Sequence, residues 1–156
     1  MVEFGIVILP LMAILLLTMD VAWGIFAKST IQYAVHQGVR YAVTGQILSG
    51  QSGLNASIQQ IVSQNSFGFI SSSQAASMVV VTYYSPTTLA QVTGAGSTAG
   101  GNVIRVSVGP TVDNPNAAPV VVYSFGLIFR TGNVLSLGAE ASDVMESPPN
   151  GIAPTP

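Results

Sequence analysis

The sequence predicts an α+β fold in which a long N-terminal hydrophobic α-helix continues into a small antiparallel β-sheet head domain. Three observations predict it. No charged residue falls between Phe4 and Met19, a helical rhythm of small and apolar side chains continues to Gly45, and β-branched runs alternate with Gly- and Pro-containing segments beyond it. The expected organisation is a helix over 1–45, apolar in 1–27 and amphipathic in 28–45, then a head over 46–146 and a Pro-rich tail over 147–156.

The chain opens MVEFGIVILPLMAILLLTMD, an apolar run with Glu3 near its start and Pro10 inside it. Sixteen uncharged residues are slightly fewer than the roughly 20 that cross a bilayer. Tolerating Asp20 and continuing through VAWGIFA to Lys28 gives a sufficient stretch. A secretory signal peptide is the rival reading, against which stand the lack of a basic segment before the run and of a small-x-small site closely after it. Beyond Lys28, Ile31, Ala34, Val35, Gly38, Ala42 and Gly45 recur at three- and four-residue steps, so the helix is expected to run over 2–44 and stop at Gly45. At 1.5 Å per residue that is about 65 Å, twice a hydrocarbon core, so half of it suits lipid and half protrudes. Thr30, Ala34, Gly38 and Ala42 form a stripe of small side chains, fit either for another subunit's helix or for seating the helix on its own head.

In the remainder, 45–53 reads as a loop and 54–65 as a second helix, with Leu54, Ile58, Ile61 and Val62 on one face. SMVVVTYYS (77–85) is expected as a buried strand ended by Pro86, and TGAGSTAGGN (93–102) as a flexible connection. NVIRVSVGP alternates, with Ile104, Val106 and Val108 on one face and Arg105 and Ser107 on the other. PVVVYSF (119–125) and NVLSLGAEAS (133–142) are two further strands of one small sheet, and SPPNGIAPTP is an extended, mobile tail.

Composition and motifs exclude several classes of function. Only ten of the 156 residues are charged, and none lies between Tyr41 and Ile104, far below the quarter typical of soluble domains. Burial in an assembly, glycosylation, or a place outside the cytosol each accounts for such a surface. No basic patch exists to meet phosphates, which argues against nucleic acid as a partner. Without cysteine there is neither disulfide nor thiolate metal site. The single histidine, His36, has no carboxylate beside it and no second histidine to share a metal. GAGSTAGG lacks the strand, helix and acidic residue of a dinucleotide site. No nucleophile elbow, phosphate loop or haem-attachment motif is present, so no catalytic residue and no cofactor is expected. Asn55-Ala56-Ser57 matches the N-glycosylation acceptor pattern, making Asn55 a candidate attachment point.

VEFGIVILPLMAILLL at the start and HQGVRYAVTG at 36–45, in that order and spacing, resemble the VEF-apolar-LP-apolar and REGARYA-like elements of the TadE/TadG-like pilins. These belong to tight-adherence (Tad) systems within the type IV pilin-like superfamily. NVLSLGAEASDVMESPP is a weaker echo of the family's terminal strand. The resemblance covers about the first 45 residues.

What the resemblance implies is a precursor in the inner membrane, cleaved at a glycine by a prepilin peptidase and drawn by the pilus assembly machinery into a homopolymeric filament or an assembly complex. Family members are often minor subunits. The family's glutamate stands fifth in the mature chain, whereas Glu3 is third here. An unusual processing point, two further preceding residues, or a glutamate acting at shorter range each accounts for the difference. In this setting Glu3 is expected to meet a neighbouring subunit's α-amino group, since an ionised carboxylate in hydrocarbon costs several kcal/mol unless paired. The alternative is that it lies at the membrane surface as the first polar residue. Phe4, Leu11 and Leu15 supply apolar packing between subunits, and Pro10 lets the helix bend on entering a packed core. Asp20 either pairs across subunits or marks the outer membrane boundary; Lys28, two turns on, is within only loose reach along one chain.

The expected function is thus a structural subunit that polymerises through its N-terminal helix into an extracellular filament for adhesion. The alternatives are a minor pseudopilin or an inner-membrane assembly factor of a Tad-type system, or a binding domain tethered by one helix.

Overall fold

Among the described residues, one continuous helix, α1 (Val2–Val43), is followed by α2 (Leu54–Asn65), α3 (Ser72–Met78) and the strands β1 (Val79–Tyr84), β2 (Gln91–Val92), β3 (Val103–Val108), β4 (Val120–Tyr123), β5 (Val134–Leu137) and β6 (Ala139–Val144). The structure is a computed structural model that describes residues 2–94, 96–111, 115–123, 134–147 and 153–156.

α1 is about 63 Å long at 1.5 Å per residue. It keeps Pro10 within its apolar half and stops one residue before the expected end. Gly45 takes φ 63°, and its N–H reaches Ala42 O at 3.0 Å. That left-handed turn is open to glycine without a Cβ penalty. The stop turns the chain into the loop before α2, where Leu48 N–H donates to Ser57 Oγ at 3.0 Å.

α2 has the bounds that its apolar spacing predicts, and Leu54, Ile58 and Val62 are fully buried. No side chain caps its first turn. The Leu54 N–H instead donates to Thr155 O at 3.0 Å, and Thr98 Oγ1–H donates to Pro154 O. The end of the tail therefore returns to the body and supplies the acceptor that an uncapped helix lacks, whereas composition alone suggested a free, mobile segment. Tail residues 148–152 lie outside the described residues.

α3 replaces the start of the strand expected over 77–85: Ser77 and Met78 end this helix and β1 begins at Val79. Its first turn is bridged by Ser71 and Gln74, with Ser71 N–H donating to Gln74 Oε1 at 3.4 Å, the S-x-x-Q signature of a helix start.

The main sheet is antiparallel in the order β2-β1-β3-β6. Val81 pairs with Val106, and Val106 with Ala141. Ile104, Val106 and Val108 all face the core, as their alternation predicts. Ser107, on the opposite face, is nonetheless buried. The segment 133–142 forms two strands rather than one, and they belong to different sheets. Among the described residues, β5 pairs with β4 in a two-stranded ribbon, while β6 joins β3. The break is at Gly138, where a Cβ would lie 2.7 Å from Pro110 O; only a residue without one admits the crossing backbone. Ser124, Phe125 and Asn133, at the ends of the expected strands, lie outside the described residues.

α2, β3 and β6 pack against α1. The core is continuous from Ala27, Ile31, Val35 and Val39 of α1 through Leu54, Ile58 and Val62 to Val79, Ile104 and Val106. The second half of α1 is therefore the spine of the head as well as the continuation of the apolar rod.

Candidate assembly surface

The two halves of α1 differ in what covers them. Phe4 is 72% exposed, Leu11 61% and Leu15 48%, and large apolar side chains are exposed at successive positions around the helix as far as Met19. Such a helix is apolar on every side and has no solvated face. It is long and apolar enough to cross a membrane. Glu3 and Pro10 both lie in this half; the Glu3 side chain is outside the described part of the structure.

From Ala27 onward the same helix is clothed by its own chain. Ala34 and Ala42 are fully buried, and a Cβ on Gly38 would lie 2.6 Å from Val62 Cγ2 and 3.4 Å from Ile58 Cγ2. Of the two uses open to this stripe of small residues, the structure displays the intramolecular one: α2 lies in it. Ala34, Gly38 and Ala42 are thereby withdrawn from the surface offered to a second subunit, which is left with the bare half. Sequence spacing showed the stripe, but α2 fills it through contacts across the fold that spacing does not encode.

Asp20 stands at the junction and is 1% exposed. It is not left without a partner, so its carboxylate is sequestered within its own chain. One turn on, Gly24 admits Leu135 of β5, whose Cδ2 would approach a Cβ there to 3.3 Å. The β4–β5 ribbon thus reaches α1 near the boundary between bare and covered helix. Lys28 is exposed and shares a cleft of about 630 Å³ with Gln32, Thr111 and Glu140, the concavity that a tethered binding domain would use.

An aromatic cluster that sequence reasoning missed sits at the same boundary. Trp23 stacks on Phe26 with centroids 5.7 Å apart, and Phe69 meets both edge-on at 5.9 and 6.4 Å. Phe67 approaches Phe26 at 6.2 Å. FGF at 67–69 carried no periodicity to flag it; only the descent of α2 along α1 brings it to Phe26.

Asn55 is half-buried, and its Oδ1 accepts the Tyr83 phenol at 2.7 Å. Burial raises the Tyr83 pKa well above the ordinary phenol value. The side chain of the candidate glycan acceptor is thus engaged in the interface between α2 and β1. His36 is exposed on α1, and among the described residues no group of three or more His, Asp or Glu side chains converges to hold a metal.

A helix bare and apolar over its first half and built into a small α+β head over its second defines a class of α+β protein with one membrane-compatible apolar segment at its N-terminal end. The family described as TadE-like protein matches residues 1–40, the segment on which the sequence resemblance rested, and over that segment the chain is similar to TadE-like proteins. No curated protein and no solved structure matches the chain.

Proposed function

We propose that the chain is a structural pilin-like subunit, held in the inner membrane by the bare half of α1 and then polymerised through that same surface into an extracellular filament for adhesion. The observation that carries this reading is the contrast within one helix: Phe4 to Met19 is exposed and apolar on all sides, while Ala27 to Ala42 is spent on the head's own core. A simple tether has no need to share its helix with the core. In the filament, neighbouring helices take the place of lipid around Phe4, Leu11 and Leu15, and Glu3 sets the axial register by pairing with a neighbour's α-amino group. A prepilin peptidase and the Tad assembly machinery are the partners this requires.

The alternative, a minor pseudopilin or an inner-membrane assembly factor, is favoured by the TadE-like match over residues 1–40 together with the frequency of minor subunits among such proteins. Electron microscopy of sheared surface material, with mass spectrometry of its subunits, separates the two. A helical filament composed mainly of this chain supports the polymer; recovery only in the inner-membrane fraction overturns it in favour of the assembly factor.

A further inference from the structure

We infer that the loop between α2 and α3, with Phe67 at its tip, is a membrane-interface anchor that dips into the outer surface of the bilayer beside Trp23 and Phe26 while the subunit is membrane-resident. The inference rests on the membrane insertion proposed above and adds a second point of contact with lipid, on the head itself.

Phe67 is 81% exposed and has φ 55°. A bulky aromatic residue rarely adopts that left-handed conformation, and here no core burial compensates for it. The loop is nonetheless firmly fixed. Ser66 Oγ–H donates to Ser63 O at 2.7 Å and Ser66 Oγ in turn accepts Ile70 N–H at 3.1 Å, while Ser63 Oγ–H donates to Ile70 O at 3.1 Å. Both serines are buried. The hydroxyls clamp the two ends of the loop and leave the ring projecting outward.

Height along α1 identifies the medium it meets. α2 runs down α1 toward the N terminus, since Val62 lies against Gly38 whereas Phe67 meets Phe26. Trp23 lies about 29 Å along the helix axis from Phe4, close to the roughly 30 Å of a hydrocarbon core. With Phe4 at one surface, Trp23, Phe26 and Phe67 all lie at the other, the level at which aromatic side chains collect. Lys28 follows a turn or so beyond, exposed and placed for lipid phosphates. The groove beside the loop has Phe26, Tyr33 and Phe67 as apolar walls and Ser29, Gln64 and Asn65 as uncharged polar ones, a lining suited to the ester region.

The test uses the full chain in phosphatidylcholine/phosphatidylglycerol vesicles carrying brominated acyl chains. Trp23 is the chain's single tryptophan, so wild type reports the helix boundary, and the double variant Trp23→Phe/Phe67→Trp reports the loop. Circular dichroism establishes that both are folded. The expected result is blue-shifted emission from both, each quenched more by bromines near the headgroup end of the chain than by bromines at its far end. If Trp23 is quenched but tryptophan at 67 emits as in water, the anchor is overturned and membrane insertion stands. If tryptophan at 67 is water-like in vesicles and becomes shielded only in assembled filaments, its partner is a second copy of the chain, and the anchor is again overturned. If neither is quenched, the membrane reading of α1 fails and the anchor with it.

Discussion

Gly38 of α1 and Val62 of α2 touch so closely that a single methyl group on Gly38 would lie 2.6 Å from Val62 Cγ2. Alanine in a helix ordinarily improves on glycine by about 1 kcal/mol. Here the extra carbon meets a stiff β-branched neighbour, and overpacking of this kind costs about 1–3 kcal/mol. Gly38→Ala is therefore expected to lower stability by about 1 kcal/mol net, read by thermal unfolding in detergent. Combining it with Val62→Ala is expected to recover part of the loss. A Gly38→Ala variant as stable as its helix propensity alone suggests would show that the two helices separate freely.

Tyr83 gives the head an alkaline limit. Its phenol keeps its proton in the folded state beyond the ordinary pKa because burial disfavours the phenolate. The folded chain thus holds this proton more tightly than the unfolded one. The contribution is complete below about pH 10, the unfolded value, and is lost as pH rises above it. Tyr83→Phe is expected to cost about 1–2 kcal/mol at neutral pH through the lost bond to Asn55, and to flatten the alkaline decline. An unchanged alkaline decline would assign it to the other tyrosines.

Removal of residues 153–156 takes away the acceptor of the Leu54 N–H. Losing a helix cap costs on the order of 1 kcal/mol, so the truncated chain is expected to unfold at lower temperature. Hydrogen exchange supplies the specific readout. Amides of the first turn of α2 should exchange faster in the truncated chain, while those of β1 and β3 change only with global stability.

Glu3→Gln tests the register role with little change of shape. Membrane insertion is expected to be retained, because a neutral amide is easier to place in hydrocarbon than a carboxylate, while incorporation into sheared filaments drops by about tenfold or more, as for loss of a charge pair in an apolar site. Quantitative mass spectrometry of the membrane and sheared fractions checks both halves. Wild-type incorporation of the variant would mean that Glu3 does not carry the register.

Periodicity made α1 and α2 legible almost to the residue, because a run such as Ile31, Val35 and Ala42 and a face such as Leu54, Ile58 and Val62 record local geometry directly. It made the inward side of β3 legible for the same reason. The division of 133–142 at Gly138 was not, since what breaks it is Pro110 O approaching from another segment. α3 hid behind the β-branched run that follows it, although Ser71 and Gln74 carried its start signal. At the candidate site, the exposure of Phe4, Leu11 and Leu15 follows from apolar character on every side of a helix. The intramolecular use of Gly38 and the meeting of Phe26 with Phe67 depend on where α2 lies, which no single segment specifies.

The bare half of α1 also restricts the route this molecule can take. About a dozen large apolar side chains are exposed between Phe4 and Met19, so passing that segment through water would cost on the order of 20 kcal/mol. A soluble intermediate has no useful population at that energy. On the proposed reading, leaving the bilayer therefore means a direct exchange of one greasy sheath for another, and because α1 runs unbroken into the core of the head, a pull on the apolar half is transmitted straight to the head.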